Sequence, residues 1–173
     1  NNSGYWTSSA TDSQLVDMRY SFTLILLYYH QGLGERDTIF EKAGTSYQSY
    51  QQELSMTAET GNNISYYRGY SSYDYASTKV NTTNSWNFTA IKSEGITTRT
   101  GHYWRQSDTS WVSSYTSRTN SEILQASSIR VGTGYAGPME NGYIGGVVIY
   151  TRALTTTEMN KLYTYFSSLY SGL

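Results

Sequence analysis

The acidic run ERDTIFE, residues 35 to 41, is where this chain first spaces side chains for chemistry. Glu35, Asp37 and Glu41 are all odd-numbered, so on a regular strand their carboxylates share one face. Retaining glycoside hydrolysis needs two carboxyls ~5 to 5.5 Å apart, one as nucleophile and one as acid, and acids on alternate strand positions are one way to present them. His30 and His102 are the only histidines. Neither sits in an HxxxH, HxH or His-acid motif, so nothing around them points to a metal site or a triad. No glycine-rich loop follows a strand and opens a helix as a phosphate cradle would, and Gly132 to Gly137 reads as a turn before the last strand.

Aromatic residues offer a different chemistry. Tyr66, Tyr67, Tyr70, Tyr73 and Tyr75 fall in one strand and its following loop, while Trp104 and Trp111 fall on a hairpin. A ring held on a rigid scaffold stacks on the apolar face of a sugar or anchors a protein partner. Alternate tyrosines on strands also pack in cores and steady cross-strand pairs, so both uses stay open. Asp17, Asp74, Glu140 and Asn141 are the oxygen donors near loops, although no loop is dense in acids.

These groups belong to 173 residues, the size of one domain with a real core, read as a single unit 1–173 whose first 14 residues form a polar, extended arm. Twelve basic against 13 acidic residues leave no basic face to neutralise a run of phosphates, which excludes nucleic acid as a partner. The nearest thing to a basic cluster, Arg99 to Arg105, reads as solvated strand-edge charge. Nineteen tyrosines, one proline, no cysteine and roughly a quarter Ser and Thr describe a hydroxyl-rich surface that meets water, sugar or another copy of the chain. No apolar stretch approaches the 20 or so residues that span a bilayer, so membrane insertion is not expected. The chain opens on Asn1 rather than Met, as a processed or excised piece does. Glycosylation sequons stand at Asn63, Asn81 and Asn87, with another at Asn1, in predicted loops and strand edges, and lean towards an extracellular setting.

Strand-like runs recur at about 20–29, 37–42, 50–57, 63–69, 86–92, 101–105, 110–115, 123–131 and 143–150, separated by Gly, Asn and Ser, the pattern of an all-β sandwich. The run 20–29 is apolar on both faces and belongs in the middle of a sheet. Asn141-Gly142 is a tight-turn signal before the apolar run Tyr143 to Tyr150. Thr155 and Glu158 then make a capping box, and Met159, Leu162, Tyr163, Phe166 and Tyr170 lay one apolar stripe on a short terminal helix.

The stretch NGYIGGVVIYTRALTTTE, 141 to 158, closely resembles the terminal signature NGYIDEVRIYNRALSxxE of the laminin-G-like, concanavalin A-like jelly-roll family. YSFTLILLYY (20 to 29) is similar to its FTLSAWV strand, DTIFEKAG (37 to 44) to its TIFSKGG, SWNFTAIKSEG (85 to 95) to its WHHVAVTYDG and SSIRVGTG (127 to 134) to its LTIGSG. ELSMTAETGNNISYYRG (53 to 69) looks like a strand, a Gly-Asn turn and a strand. The resemblance implies two antiparallel sheets in a jelly roll closed by one short C-terminal helix, with Trp86 as a core tryptophan.

It also bears on chemistry. Jelly-roll glycoside hydrolases carry ExDxE or ExDxxE, and here the third acid comes one residue late, in a segment that matches a noncatalytic strand. Gly145 and Gly146 stand where relatives have an acidic pair, which removes whatever those carboxylates hold. Several relatives bind calcium through loop carboxylates and carbonyls, for which the resemblance offers Asp17, Asp74, Glu140 and Asn141 here. The expectation is therefore a noncatalytic recognition or adhesion module for a glycan or a surface protein, outside the cell or on a virus particle. A structural subunit that assembles with copies of itself through Tyr-rich faces is the alternative, and a glycoside hydrolase the minor one.

Overall fold

The structure, a computed structural model, describes residues 6–8, 17–18, 20–31, 37–43, 52–59, 63–69, 73–79, 83–94, 97–106, 110–119, 128–134 and 136–170. For 6–8, 52, 59, 63–69, 73–79, 97–106 and 110–119 it describes the backbone alone. The strands are β1 (Trp6–Ser8), β2 (Phe22–His30), β3 (Asp37–Ala43), β4 (Gln52–Glu59), β5 (Asn63–Gly69), β6 (Tyr73–Lys79), β7 (Ser85–Ser93), β8 (Thr97–Gln106), β9 (Ser110–Thr119), β10 (Ser128–Val131) and β11 (Gly142–Tyr150), followed by the helix α1 (Thr156–Leu169). They form two antiparallel sheets, a six-stranded one ordered β1-β10-β3-β4-β5-β6 and a five-stranded one ordered β11-β2-β7-β8-β9.

Two elements differ from the sequence reading. Residues 6–8, inside the expected N-terminal arm, are an edge strand paired with β10. Residues 73–79, expected as loop, are the opposite edge of the same sheet, paired with β5. Of the run 123–131 only 128–131 is strand among the described residues.

The core has two compartments because β2 has two apolar faces. Phe22, Leu24, Leu26 and Tyr28 pack between the sheets with Ile39, Phe40, Leu54, Met56 and Ile91. Ile25 and Leu27 face the other way and join Phe88, Ala90, Leu154, Met159 and Tyr163 beneath α1. The helix forms as its sequence dictates. The Thr155 hydroxyl accepts from the Glu158 amide, the Glu158 carboxylate accepts from the Thr155 amide, and Leu162, Phe166 and Tyr170 complete the packed stripe. Thr23 ties the approach to β2, its hydroxyl donating to the Arg152 carbonyl at 2.9 Å and accepting from the Leu154 amide at 2.8 Å.

Charges inside the sandwich are paired. Lys42 meets Glu53 at 2.7 Å with both side chains buried, and Glu53 also accepts the Met18 amide. Removing one member of such a pair leaves a buried charge uncompensated, so Glu53→Ala is expected to cost about 3 to 5 kcal/mol in urea denaturation.

At the surface, Arg152 and the Thr155 backbone and hydroxyl together hold the Glu158 carboxyl down to about 2 from the ordinary 4.5. A depressed carboxyl stabilises the fold above its unfolded value and loses that contribution as pH falls through the folded one. The docked helix should therefore loosen between about pH 4.5 and 2, and Glu158→Gln should flatten that segment of the stability-pH profile.

Candidate functional site

Aromatic rings step across the outer face of the five-stranded sheet. Tyr143 on β11 lies directly opposite Tyr29 on β2, which lies opposite Trp86 on β7. Their ring centroids are 6.1 Å apart for Tyr143 and Tyr29 and 5.6 Å for Tyr29 and Trp86, and Trp86 continues to Tyr170 after the helix at 4.7 Å. Offset and edge contacts of this kind add about 0.5 to 1.5 kcal/mol per pair beyond burial, so each ring steadies the next. Tyr143 is 64% exposed, whereas Tyr29, Trp86 and Tyr170 are half-buried.

Local backbone explains the arrangement. β11 carries a bulge between Ile144 and Gly146, with Gly145 as the extra residue. A Cβ at Gly145 would stand 2.7 Å from the Trp86 ring and 3.0 Å from Leu27, so the absent side chain is what lets the indole lie against the strand. The Tyr170 hydroxyl donates to the freed Gly145 carbonyl at 3.0 Å and pins the end of the strip. Polar groups gather at one end. The Gln31 amide donates to the Asn141 carbonyl at 2.8 Å and the Asn84 amide to the His30 carbonyl at 2.7 Å, which brings Gln31, Asn84, Glu140 and Asn141 to the same rim, with the Gln31, Asn84 and Glu140 side chains exposed. Asn84 reaches its place through a left-handed φ of 54°.

The acidic run does not assemble as its spacing suggests. β3 bulges between Thr38 and Phe40, sending both Ile39 and Phe40 to the core. Asp37 therefore pairs with Ala58 and Glu41 with Ser55, positions three apart on a regular stretch of β4 and so on opposite faces of the sheet. Asp37 is buried 3.5 Å from the His30 Nε2, and Glu41 is buried against Arg130 at 2.8 Å. Glu35 lies outside the described residues. The turn at 132–137 covers Glu41 closely, since a Cβ on Gly134 would run into its carboxylate.

The other residues singled out by sequence are placed as follows. Tyr66 stands opposite Met56 and Tyr67 opposite Ser55 on one side and Tyr75 on the other, while Tyr73 begins β6 rather than lying in a loop. Trp104 is opposite Thr89 and Val112, and Trp111 opposite Arg105. The side chains of these residues, and all of Tyr70, lie outside the described part of the structure. β6 and β9 come together, so Tyr73, Tyr75 and Trp111 are on strands that meet at one end of the sandwich.

Trp86 departs from the core role expected of it, being half-buried beneath the helix end. Asn87 is buried and its Nδ2 donates to the Ser85 carbonyl at 3.0 Å, a poor place for a glycan; Asn63 opens β5, and Asn81 is outside the described residues. For calcium, Glu140 and Asn141 adjoin, Asp17 precedes the buried Met18, and the Asp74 side chain is not described. Among the described residues no three acidic or histidine side chains gather to hold a metal ion. Sequence reasoning missed Tyr29 and Tyr143; the signal was YYH meeting NGY in antiparallel register.

No protein-family model matches the sequence, and neither does any curated protein. Solved structures do. The carbohydrate-binding module CBM40 of the Ruminococcus gnavus IT-sialidase superposes with a TM-score of 0.64 at 9% identity, over 84% of this chain and 83% of that one. The fold is a jelly roll. The same module bound to α2,3-sialyllactose gives 0.58 at 8% identity, over 83% and 82%. The leech intramolecular trans-sialidase gives 0.63 at 13% identity, with 92% of this jelly roll covering only 27% of the enzyme.

Because the jelly roll seats Trp86 against a glycine, Gly145→Ala is expected to displace the indole and cost about 1 to 3 kcal/mol. The Trp86 indole N–H cross-peak should move in a proton-nitrogen spectrum while those of the other tryptophans stay in place.

Proposed function

We propose that this jelly roll is a noncatalytic module that recognises a glycan outside the cell or on a particle surface. The observation that carries the reading is the Tyr143-Tyr29-Trp86 strip, a rigid row of rings with one face open to water and hydrogen-bonding amides at its rim. An aromatic ring offers a flat apolar surface to the C–H face of a pyranose, and the amides take its hydroxyls. The likeness to sialidase carbohydrate-binding modules supports the same reading. So does the laminin-G-like signature at 141 to 158, and membership of that family forms part of the proposal.

The noncatalytic half is supported by the acids. Asp37 and Glu41 sit on opposite sheet faces, Asp37 buried beside His30 and Glu41 paired with Arg130, so these two acids form no open pair for hydrolysis. Tyr66, Tyr67, Tyr70, Tyr73, Tyr75, Trp104 and Trp111 are proposed as further binding aromatics, of which Tyr73, Tyr75 and Trp111 stand on β6 and β9, strands that come together. Calcium through Asp17, Asp74, Glu140 or Asn141, and a glycan on Asn63 or Asn81, remain proposals of the same kind.

A glycan array supplies the ligand, and proton-nitrogen titration locates it. Tyr143→Ala should weaken binding about 2- to 10-fold with the fold intact, because the ring is exposed and its neighbours stay packed. Tyr75→Ala and Trp111→Ala test the further aromatics. Binding that ignores Tyr143 while falling with Trp111 moves the site there.

A further inference from the structure

We infer that the strip takes a sugar bearing an acetamido group, an inference that rests on the glycan reading above. The chemistry comes from a second row of side chains beside the rings. The Gln31 amide donates to the Asn141 carbonyl at 2.8 Å, which carries the β11-β2 ladder one residue beyond the Gly142-His30 pair. Side chains two apart on a strand share a face, so Gln31 falls on the face of Tyr29 and Asn141 on the face of Tyr143. The two carboxamides thus oppose each other about 6.6 to 6.8 Å along the strands from the opposed rings. Asn84, two residues before Trp86, brings a third carboxamide to the same end: its backbone amide donates to the His30 carbonyl at 2.7 Å, and its φ of 54° is left-handed. Gln31 and Asn84 are exposed and Asn141 is half-buried, so the row is accessible to a ligand that lies on Tyr143.

Pairing and reach both select the acetamido group. A primary carboxamide offers two N–H donors and a carbonyl acceptor in one plane, and an acetamido group offers a matching N–H and carbonyl. A ring hydroxyl supplies a single oxygen held close against its pyranose. The acetamido group carries its carbonyl oxygen and methyl two bonds further out, which spans the step from a sugar stacked on Tyr143 to the carboxamide row. Its methyl then lies by the half-buried Tyr29 ring, where apolar contact adds to the stack. A neutral hydrogen bond contributes roughly 2- to 10-fold in affinity, so one or two of them favour an acetamido sugar over its hydroxyl counterpart about 5- to 30-fold. Hexosamines and sialic acids can both present the group.

The full chain should be titrated, with proton-nitrogen detection that includes side-chain carboxamides, against two pairs of sugars. Tri-N-acetylchitotriose and cellotriose differ only in acetamido for hydroxyl, and α2,3-sialyllactose and lactose present the group on a sialic acid or not at all. Expected is about 5- to 30-fold tighter binding of the acetamido member of at least one pair, with shifts at Tyr143 and at the Gln31 and Asn141 carboxamides. The pair that shows it names the source of the group. Gln31→Ala and Asn84→Gly should each shrink the gap about two- to fivefold, glycine being chosen because it takes a left-handed φ without strain, and Tyr143→Ala should weaken both members. Hydroxyl sugars that bind the strip as tightly as acetamido ones in both pairs, or a gap that both variants leave intact, overturn the inference and leave glycan recognition standing. A glycan array whose strip ligands all lack the group does the same. Silence from every sugar at the strip, with a blank glycan array, overturns both readings together.

Discussion

Strand β2 is apolar on both faces, and the rest of the molecule answers that constraint. Each fully buried aliphatic side chain contributes roughly 1.5 to 3 kcal/mol relative to exposure, so a strand with Leu24, Leu26 and Tyr28 on one side and Ile25 and Leu27 on the other cannot leave either face in water. The six-stranded sheet covers one side. Only a second layer can cover the other, and the chain supplies it from residues 142 to 170, through β11 as neighbour and α1 as lid. The aromatic strip is what remains of that outer face where the helix ends. It is half-sheltered because the lid is short, and it is ordered because the rings beneath the lid continue into those beside it.

Two bulges separate what the chain does from what its composition suggests. The one at Ile39 adds a residue to the core and turns Asp37 and Glu41 to opposite faces, so acids that read as one row are parted, Asp37 buried beside His30 and Glu41 paired with Arg130. The one at Gly145 does the reverse, bringing together rings that come from three distant segments. A single inserted residue changes side-chain parity, and parity decides which groups meet.

That is also the measure of what the sequence made legible. Strong, redundant signals survived: the Thr155-Glu158 cap, the stripe from Met159 to Tyr170 and the doubly apolar β2 each rest on several residues agreeing, whereas Asn141-Gly142 makes no tight turn, since Gly142 already pairs with His30 in β11. Edge strands did not, because β1 and β6 carry few apolar residues and are held by pairing with a neighbour rather than by their own pattern. Parity-based inference failed at Ile39, since nothing in DTIFEKA announces a bulge. The aromatic site was half visible. Tyrosine abundance pointed to rings as the working groups, but Tyr143 and Tyr29 become neighbours only through a register that sequence spacing does not encode, and Trp86 was read as core because a half-buried tryptophan and a buried one look alike in one dimension.

The order in which β11 and α1 follow one another also sets how the domain carries mechanical load. A pull applied near Tyr170 reaches the helix before any strand, and the helix is held to the sheet by side-chain packing, the Thr23 hydrogen bonds and the Tyr170 hydroxyl on Gly145. β11 behind it pairs with β2 from Gly142 to Tyr150, interrupted only at the Gly145 bulge. Side-chain contacts yield at shorter extension than a row of backbone hydrogen bonds, so the helix acts as a fuse: it gives way first, absorbs the early extension and leaves the sandwich closed.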